Sequence, residues 1–296
     1  MILLTGASGF IGQQLLKRLV SLYGPENVIA LTSQPIEICK YVLHSNYRFS
    51  KEIFISNGFH EISTIIHAGA FTPKSGSDAN NIEKCISNIS NTAKLLNAEL
   101  PSLNKVIFLS TIDVYGADNP IHEQSPVSPI SLYGYSKLFC EQLIEKWADQ
   151  HSKICQVLRV GHVYGPGEEE YKKLIPELMR RLINGKNITL YGEGHEIRSF
   201  IFISDIIDAI ISSLNKNKYL GPVNLVGEEQ ISVRALIKKL VMISKKSVGV
   251  EQKEALSEPR DLIFCNTKLK KELTIPKMSL DEGLKTEWDY MQSIYS

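Results

Sequence analysis

Short apolar runs alternate along this chain with longer segments whose apolar residues recur at helical spacing. The first run covers residues 2–4, and residues 13–20 follow with helical spacing after a glycine-rich turn. A short apolar run is typical of a strand buried on both faces of a parallel sheet. The pattern predicts further strands at residues 28–31, 64–70 and 106–109, and long helices at residues 80–100 and 131–149. Strands that alternate with helices predict the α/β class with a doubly wound parallel sheet.

The first strand leads into a turn that contains Gly6, Gly9 and Gly12. Glycines allow the backbone to approach a pyrophosphate closely, and the unpaired N–H groups at a helix start favour an anion there. The spacing differs from the G-x-G-x-x-G of the standard dinucleotide fingerprint. A tight strand-to-helix turn without a ligand is therefore the alternative interpretation.

The residues after the second strand bear on the choice of dinucleotide. A fold that prefers NAD usually carries an acidic residue about 20 residues past the glycines, where it bonds the ribose 2′-hydroxyl. Thr32, Ser33 and Gln34 occupy that place here. Nothing in this stretch repels a 2′-phosphate and its hydroxyls can bond one, although no arginine is nearby. The sequence therefore favours NADP(H) over NAD(H).

A tyrosine and a lysine stand four residues apart in the helix predicted at residues 131–149. Tyr133 and Lys137 therefore share one helix face. An ammonium near a phenol favours the phenolate and lowers the pKa of the phenol. Such a tyrosine exchanges a proton with a sugar hydroxyl or ketone, while a nicotinamide exchanges a hydride. The hydroxyl of Thr111 is placed to bond the same oxygen, and the alternative is a Tyr–Lys pair on a solvated helix face.

Two polar residues inside predicted elements have ordinary structural interpretations. His67 stands in the strand at residues 64–70, where we expect a packed histidine. Asn88 lies within the helix at residues 80–100, although asparagine is a poor helix former. An exposed polar side chain is the simplest account of Asn88.

The composition excludes several classes of function. The formal net charge of +1 indicates no strong field for nucleic acid or a membrane surface. We see no apolar run long enough to span a bilayer and no signal peptide, and we expect a cytoplasmic protein. The five cysteines are scattered, without metal-site or redox spacing, so we interpret them as reduced thiols and expect no metal.

The chain resembles extended short-chain dehydrogenases/reductases of the nucleotide-sugar epimerase/dehydratase family. The motifs that carry this resemblance are TGASGFIG at residues 5–12, HAGA at 67–70, NISNTAKLL at 88–96, FLSTIDVYG at 108–116, YGYSK at 133–137, LRVGHVYGPG at 158–167, RSFIFISDIIDAI at 198–210 and PRD at 259–261. They run over nearly the whole chain in the family's order.

The resemblance implies a Rossmann fold and a role for each matching residue. It implies a catalytic group of Thr111, Tyr133 and Lys137, with Asn88 as a possible fourth member. The cofactor-binding residues that it implies are Gly6, Ser8, Gly9, Phe10, Ile11, Gly12, Thr32, Ser33, Ala68, Gly69, Ala70, Tyr133, Lys137 and His162. The substrate-binding residues that it implies are Thr111, Asp113, His162, Arg198 and Arg260, of which the arginines would bind a nucleotide-sugar diphosphate. A surface ion pair is the alternative for each arginine.

Two departures from the family pattern guide the choice of reaction. The family's 4,6-dehydratases carry Asp-Glu after the catalytic threonine, whereas Ile112 and Asp113 stand here, which speaks against dehydration. The family usually has asparagine at the position of His162, which is either a substrate contact or a turn residue. Because the usual argument for NAD is missing, we expect reduction of a 4-keto-6-deoxy sugar at C4. The alternatives are a 4-epimerase with tightly bound NAD and, more remotely, a non-catalytic cofactor sensor.

The resemblance also implies a division of the chain and a partner. Residues 1–165 and about 196–222 would form the dinucleotide-binding domain, and residues 166–195 and about 223–296 a smaller substrate domain. The substrate would lie in the cleft between them. The two long helices form a four-helix bundle in the dimers of many relatives, and we expect a homodimer. Phe139, Leu143 and Ile144 offer apolar surface for it, although they equally suit packing on the protein's own sheet.

Overall fold

The computed structural model describes residues 1–44, 47, 59–98, 100–116, 119–255, 258 and 260–295. Within these ranges no helix has the length and apolar character needed to cross a bilayer. We expected an irregular connection at residues 35–60 with a short strand near residues 53–55, and that strand lies outside the described residues.

Seven parallel strands form the central sheet. They are β1 (Ile2–Thr5), β2 (Val28–Thr32), β3 (Lys40–Leu43), β4 (Thr64–His67), β5 (Lys105–Thr111), β6 (Ile154–Val160) and β10 (Val223–Leu225). Their order across the sheet is β10-β6-β5-β4-β1-β2-β3. All neighbours are parallel, which confirms the predicted doubly wound α/β class.

Four helices cover the two faces of this sheet. They are α1 (Phe10–Tyr23), α2 (Ile82–Leu96), α3 (Leu132–Gln150) and α5 (Ile203–Leu214). Successive strand residues point to opposite faces, so Leu4 packs with Leu15 of α1 and Leu3 packs with Ile144 of α3. The short apolar runs in the sequence are uninterrupted by polar residues because both faces of the sheet are buried.

The remaining elements follow β6. A three-stranded sheet contains β7 (His162–Tyr164), β9 (Ile197–Phe202) and β11 (Gln230–Ser232), and a two-stranded sheet pairs β8 (Ile188–Tyr191) with β12 (Val250–Lys253). The helices are α4 (Leu174–Ile183), α6 (Val233–Ser244), α7 (Thr267–Glu272) and α8 (Leu280–Tyr295).

Two strands of the central sheet differ from the sequence-based expectation. The strand β3 falls in the stretch where we expected an irregular connection, because only Val42 of its four residues is buried and no apolar run marks this edge strand. The strand β10 begins at the predicted boundary near residue 223, but it pairs with β6 and so belongs to the first sheet. The remainder of the two-domain division stays a prediction.

Candidate active site

A cavity of about 600 Å³ lies at the carboxyl ends of the strands β1, β4, β5 and β6. Ligands of doubly wound folds bind at this edge of the sheet. The predicted residues that line the cavity are Gly6, Ser8, Gly9, Phe10, Ile11, Gly12, Ser33, Ala68, Gly69, Ala70, Thr111, Asp113, Tyr133, Lys137 and His162. The predicted residues outside its lining are Thr32, Asn88, Arg198 and Arg260.

The glycine-rich turn joins β1 to α1 with little space for side chains. Gly6 has φ +70°, and a β-carbon there would lie 2.5 Å from the Cα of Gly69. A β-carbon on Gly12 would lie 2.0 Å from the carbonyl oxygen of Gly6. Gly9 precedes the helix without a side-chain cap, so the first amides of α1 remain available to an anion. The turn therefore fits a dinucleotide pyrophosphate.

The end of β2 presents one hydroxyl to the cavity rather than two. Ser33 lines the cavity, but the hydroxyl of Thr32 donates to the carbonyl of Gln34 at 3.0 Å and accepts from its N–H at 3.2 Å. His44 follows β3 and also lines the cavity, and burial lowers its pKa. The Thr32 hydroxyl, which we predicted to contact the cofactor, is instead hydrogen-bonded to the backbone of Gln34 in a local turn.

Tyr133 is buried at the cavity wall, where the nearby hydroxyls of Thr72 and Thr111 favour its phenolate and so oppose the effect of burial on its pKa. The Thr111 hydroxyl accepts the N–H of Asp113 at 3.2 Å, which leaves its own proton to donate to the phenol. Thr72 lies in the loop after β4 and no sequence motif marked it. The side chains of two threonines therefore act on the phenol of Tyr133.

The electrostatics of the Tyr133–Lys137 pair differ from the sequence-based expectation. Burial, reinforced by the carboxylate of Asp113, raises the pKa of Tyr133 above its usual range. Burial also lowers the pKa of Lys137 to about 8, against the opposing effect of Glu141, and its ammonium lies 4.2 Å from the ring centre of Phe108. The prediction that the pKa of the tyrosine is lowered is wrong for this structure, because desolvation and the Asp113 carboxylate outweigh the effects that lower it.

Asn88 holds the loop that carries Thr72, so the expectation of an exposed side chain is wrong. Its side chain is buried, accepts the N–H of Phe71 at 2.7 Å and donates to the Phe71 carbonyl at 3.2 Å. It also donates to the hydroxyl of Ser136 in α3 at 3.3 Å. Asn88 thereby joins the loop after β4 to the helix that carries Tyr133.

His67 is a packed histidine, as the sequence suggested. Its two ring nitrogens lie 2.8 Å from the Thr5 hydroxyl and 3.0 Å from the Thr92 hydroxyl. The Thr5 hydroxyl accepts the N–H of Gly69 at 2.9 Å, and the Thr92 hydroxyl donates to a backbone carbonyl. Burial lowers the pKa of His67 to about 3, so the ring is neutral. Its hydrogen bonds connect β1, β4 and α2 beneath the cavity.

Two residues that the resemblance implied as substrate contacts, His162 and Asp113, line the cavity. Burial, with the charges of Arg198 and Lys173, lowers the pKa of His162 to about 4, and its Nδ1 is buried without a hydrogen-bond partner. Burial raises the pKa of Asp113, while Lys173 and Arg260 oppose this rise. A neutral imidazole with one unpaired nitrogen can bond a substrate hydroxyl.

The two arginines that the resemblance implied as diphosphate ligands are engaged with backbone carbonyls. Arg198 donates to the carbonyl of Ile197 at 2.9 Å and to that of Arg260 at 2.6 Å. Arg260 donates to the carbonyl of Gly116. The arginines stand beside each other next to the cavity, but the structure does not bring their guanidinium groups into its lining.

Metal ions have no evident place in this site. Among residues 1–44, 47, 59–98, 100–116, 119–255, 258 and 260–295, no group of three or more His, Cys, Asp or Glu side chains suits a metal ion. Cys39, Cys85, Cys140, Cys155 and Cys265 are free thiols.

The fold and the site together define a dinucleotide-dependent enzyme of the short-chain dehydrogenase/reductase type. The family model described as "NAD dependent epimerase/dehydratase family" matches residues 2–226. The chain therefore belongs to the NAD-dependent epimerase/dehydratase family, and it is an enzyme of the extended short-chain type.

The similar proteins act on nucleotide sugars, as far as their names state. An uncharacterized UDP-glucose epimerase of Bacillus subtilis is 28% identical over 99% of this chain and 98% of its own length. The crystal structure of Thermotoga maritima UDP-glucose 4-epimerase with UDP-glucose has a TM-score of 0.87 and 25% identity, and covers 100% of this chain and 99% of its own. A Bacillus cereus UDP-glucuronic acid 4-epimerase variant with a fluorinated substrate analogue and NAD has a TM-score of 0.87 and 26% identity, and covers 99% of both chains.

Proposed function

We propose that the protein is a 4-epimerase of a uridine diphosphate sugar that uses NAD(H). The observation that carries this proposal is that Thr111, Tyr133 and Lys137 line one cavity together with the glycine-rich turn. Epimerisation at C4 needs one group that takes the proton from the sugar hydroxyl and returns it to the same oxygen after the ketosugar has turned its other face to the hydride donor. The likeness to full-length 4-epimerases supports this choice over a simple reductase.

The chain's own residues supply the proton transfer and the positioning. A bound nicotinamide would accept the hydride from C4 and return it. As a phenolate, which Lys137 and an oxidised nicotinamide nearby would favour, Tyr133 would take the hydroxyl proton and later give it back, and the hydroxyls of Thr111 and Thr72 also favour the phenolate. Lys137, buried one helical turn from Tyr133, would bond the ribose of the cofactor and supply a nearby positive charge. Asn88 keeps the loop of Thr72 against α3.

The residues after Thr111 favour epimerisation over dehydration. Elimination of water at C5 and C6 requires an acid and a base beside the ketone, and Ile112 cannot provide the first of them.

Reduction of a 4-keto-6-deoxy sugar at C4 by NADP(H) is the second candidate. The observation that favours it is the hydroxyl of Ser33, in place of a carboxylate, at the end of β2.

The cofactor distinguishes the two candidates. Among the described residues, the lysines in the cavity lining belong to α3 and to the loops after β4 and β7, and none belongs to the ends of β2 or β3. Among the residues that the structure describes, a 2′-phosphate would therefore have no lysine partner there, which is why we choose NAD(H). Denatured protein is expected to release stoichiometric NAD. Empty protein that prefers NADPH in a fluorescence titration would establish the reductase instead.

The replacement Tyr133→Phe tests the chemistry. We expect turnover of UDP-glucose to fall by about 10²–10⁴-fold, the usual contribution of a general acid–base group. Binding of NAD, measured by calorimetry, should stay within about twofold, because the ring remains and only the hydroxyl is removed. Full activity in this variant would move the proton transfer to another residue.

We also propose a homodimer formed by one face of α2 and α3, in the cytoplasm. Ile82, Ile86, Tyr135 and Phe139 lie on these helices with exposed apolar side chains, as expected of a surface that a second copy covers. Of the residues predicted for this contact, Phe139 is exposed, whereas Ile144 is fully buried and Leu143 packs on the protein's own core. Sedimentation that gives a monomer mass at all concentrations would contradict the dimer.

A further inference from the structure

The loop after β7, residues 165–173, contacts both walls of the cavity. Two turns set its shape: the N–H of Glu168 donates to the carbonyl of Gly165 at 3.1 Å, and the N–H of Tyr171 donates to the carbonyl of Glu168 at 2.9 Å. Tyr171 and Lys172 of this loop line the cavity. The loop therefore has a defined shape at the edge of the site.

The first wall is the glycine-rich turn with the start of α1. The ring centres of Phe10 and Tyr171 lie 6.4 Å apart, with the rings tilted by 53°. A β-carbon on Gly167 would lie 3.3 Å from the Phe10 ring. The side-chain amide of Gln14 donates to the carbonyl of Pro166 at 3.4 Å. The loop thus packs on the first turn of α1, whose amides are available to a pyrophosphate.

The second wall is the loop after β4. The N–H of Lys172 donates to the carbonyl of Lys74 at 3.2 Å, and the Lys74 ammonium pairs with Glu170 at 3.5 Å. Beneath the loop the two walls meet, since a β-carbon on Gly6 would lie 2.5 Å from the Cα of Gly69. The glycine-rich turn, the loop after β4 and the loop after β7 therefore enclose the middle of the cavity. A dinucleotide that reaches from the turn to the catalytic residues must pass between them.

The loop is held more firmly at its base than at these walls. The carboxylate of Glu169 accepts the Tyr290 hydroxyl of α8 at 2.9 Å, and the Glu169 carbonyl accepts from Arg180 of α4 at 2.9 Å. At the walls, the ion pair is more than half exposed and the side-chain hydrogen bond is long. Exposed ion pairs contribute little to stability, whereas aromatic ring pairs contribute beyond their buried area. The Phe10–Tyr171 contact is therefore the one that we expect to hold the loop against α1.

Epimerisation places a particular demand on this enclosure. The hydride that leaves C4 returns to C4, so the reaction consumes no net oxidant or reductant. If the reduced cofactor escapes between the two transfers, a 4-keto sugar is left and the enzyme is without NAD. A reductase, in contrast, exchanges its cofactor in every turnover. Retention of the dinucleotide is thus a requirement of the proposed reaction and not of the alternative.

We propose that Tyr171 is a positioning residue, whose ring packs on Phe10 and keeps the loop after β7 closed over the dinucleotide through both hydride transfers. Tyr171 acts through the loop and takes no part in the chemistry. The inference rests on the proposed function for the need to retain the cofactor, whereas the closure itself rests on the contacts of the loop.

The rate at which the loaded protein releases its cofactor tests this role. Protein loaded with NADH is mixed with excess NAD, and the loss of the fluorescence of bound NADH is followed. We expect Tyr171→Ala to release NADH about five- to tenfold faster than the wild type, because the loss of a ring contact acts mainly on the dissociation rate. Tyr171→Phe keeps the ring and should stay within about twofold of the wild type. Equal release rates in Tyr171→Ala and the wild type overturn the proposal.

Further variants separate the ring contact from general effects. Tyr191→Ala removes an exposed tyrosine of β8 outside the cavity lining and should leave the release rate within about twofold. If Tyr171→Ala does not fold, Tyr171→Leu keeps apolar bulk without a ring and must release NADH about threefold faster. In the Phe10→Leu background, Tyr171→Ala should add less than about twofold, because the partner of its ring is gone. Equal acceleration in both backgrounds would overturn the assignment of the Phe10–Tyr171 contact.

Turnover provides a second readout that a purely structural role would not change. With UDP-glucose, Tyr171→Ala is expected to release NADH and a 4-keto sugar in equal amounts into an ultrafiltrate, whereas the wild type releases neither. If Tyr171→Ala speeds NADH release but the wild type turns over no UDP sugar, the proposed function is refuted and the role of the loop is not. A wild type that epimerises UDP-glucose and releases NADH as fast as Tyr171→Ala refutes the role of the loop alone. A wild type that binds neither NAD nor NADH refutes both.

Discussion

Two buried carboxylates of this protein, Glu141 and Glu168, have very different surroundings. Glu141 in α3 accepts hydrogen bonds from Arg159 at 3.0 and 2.7 Å and from the hydroxyl of Ser110. Arg159 also donates to the hydroxyl of Tyr115 at 2.7 Å. The pair is thus surrounded by hydrogen-bond partners, the condition under which a buried ion pair is tolerated.

Glu168 has one cationic partner and two carboxylate neighbours. Its ion pair with Lys173 competes with burial and with Glu169, and burial raises its pKa to about 7. Glu287 in α8 is fully buried with neither oxygen hydrogen-bonded, and burial raises its pKa to about 8. The complete network lies between the sheet and a helix, whereas the incomplete one lies beside the cavity. The first network thus pairs its buried charges, whereas the second contains two carboxyls with raised pKa values.

The largest effect on stability is expected for Arg159→Met. This replacement leaves Glu141 buried without its partner, which typically costs about 3–5 kcal/mol of unfolding free energy. Lys173→Met should cost about 1 kcal/mol or less, because the lysine side chain is 37% exposed and Glu168 can protonate. Urea denaturation of both variants at pH 7 measures the difference, and equal losses would contradict the contrast between the two networks.

A smaller effect, of opposite sign, is expected for Glu287→Met. The pKa of this carboxyl is about 8 in the folded chain and about 4.5 when unfolded, so the folded state binds the proton more tightly. Wild-type stability must then fall as the pH rises from about 4.5 to 8. The variant lacks this loss, and its advantage should grow by roughly 2 kcal/mol between pH 6 and pH 8. Parallel stability curves for the two proteins would show that the carboxyl titrates normally.

The sequence predicted those parts of the site that depend on local geometry. Gly6 and Gly12 mark a turn that only glycine fits, and Tyr133 and Lys137 meet because four residues make about one helical turn. We expected the glycine-rich turn and the Tyr133–Lys137 pair to lie close together because the carboxyl ends of parallel strands lie at one edge of the sheet.

The sequence could not predict the parts that depend on tertiary packing. Thr72 and Lys173 lie in loops, and their approach to Tyr133 and Asp113 depends on how these loops cross the cavity. The pKa of Tyr133 depends on the balance of desolvation against charge, which sequence spacing does not reveal. The carbonyl contacts of Arg198 likewise arise from a backbone distant in sequence.

The smallest effect is expected at a third ion pair, which joins Lys74 in the loop after β4 to Glu170 in the loop after β7. The two side chains are 59% and 70% exposed, so water and salt screen their attraction. The backbone N–H of Lys172 donates to the carbonyl of Lys74 at 3.2 Å and already joins the same two loops. Lys74→Ala should therefore change the unfolding free energy by less than about 0.5 kcal/mol at 0.15 M salt. A loss of unfolding free energy close to that of Arg159→Met would show that the Lys74 side chain is needed to hold the two loops together. It would also show that the solvent exposure of an ion pair does not predict its contribution to stability in this protein.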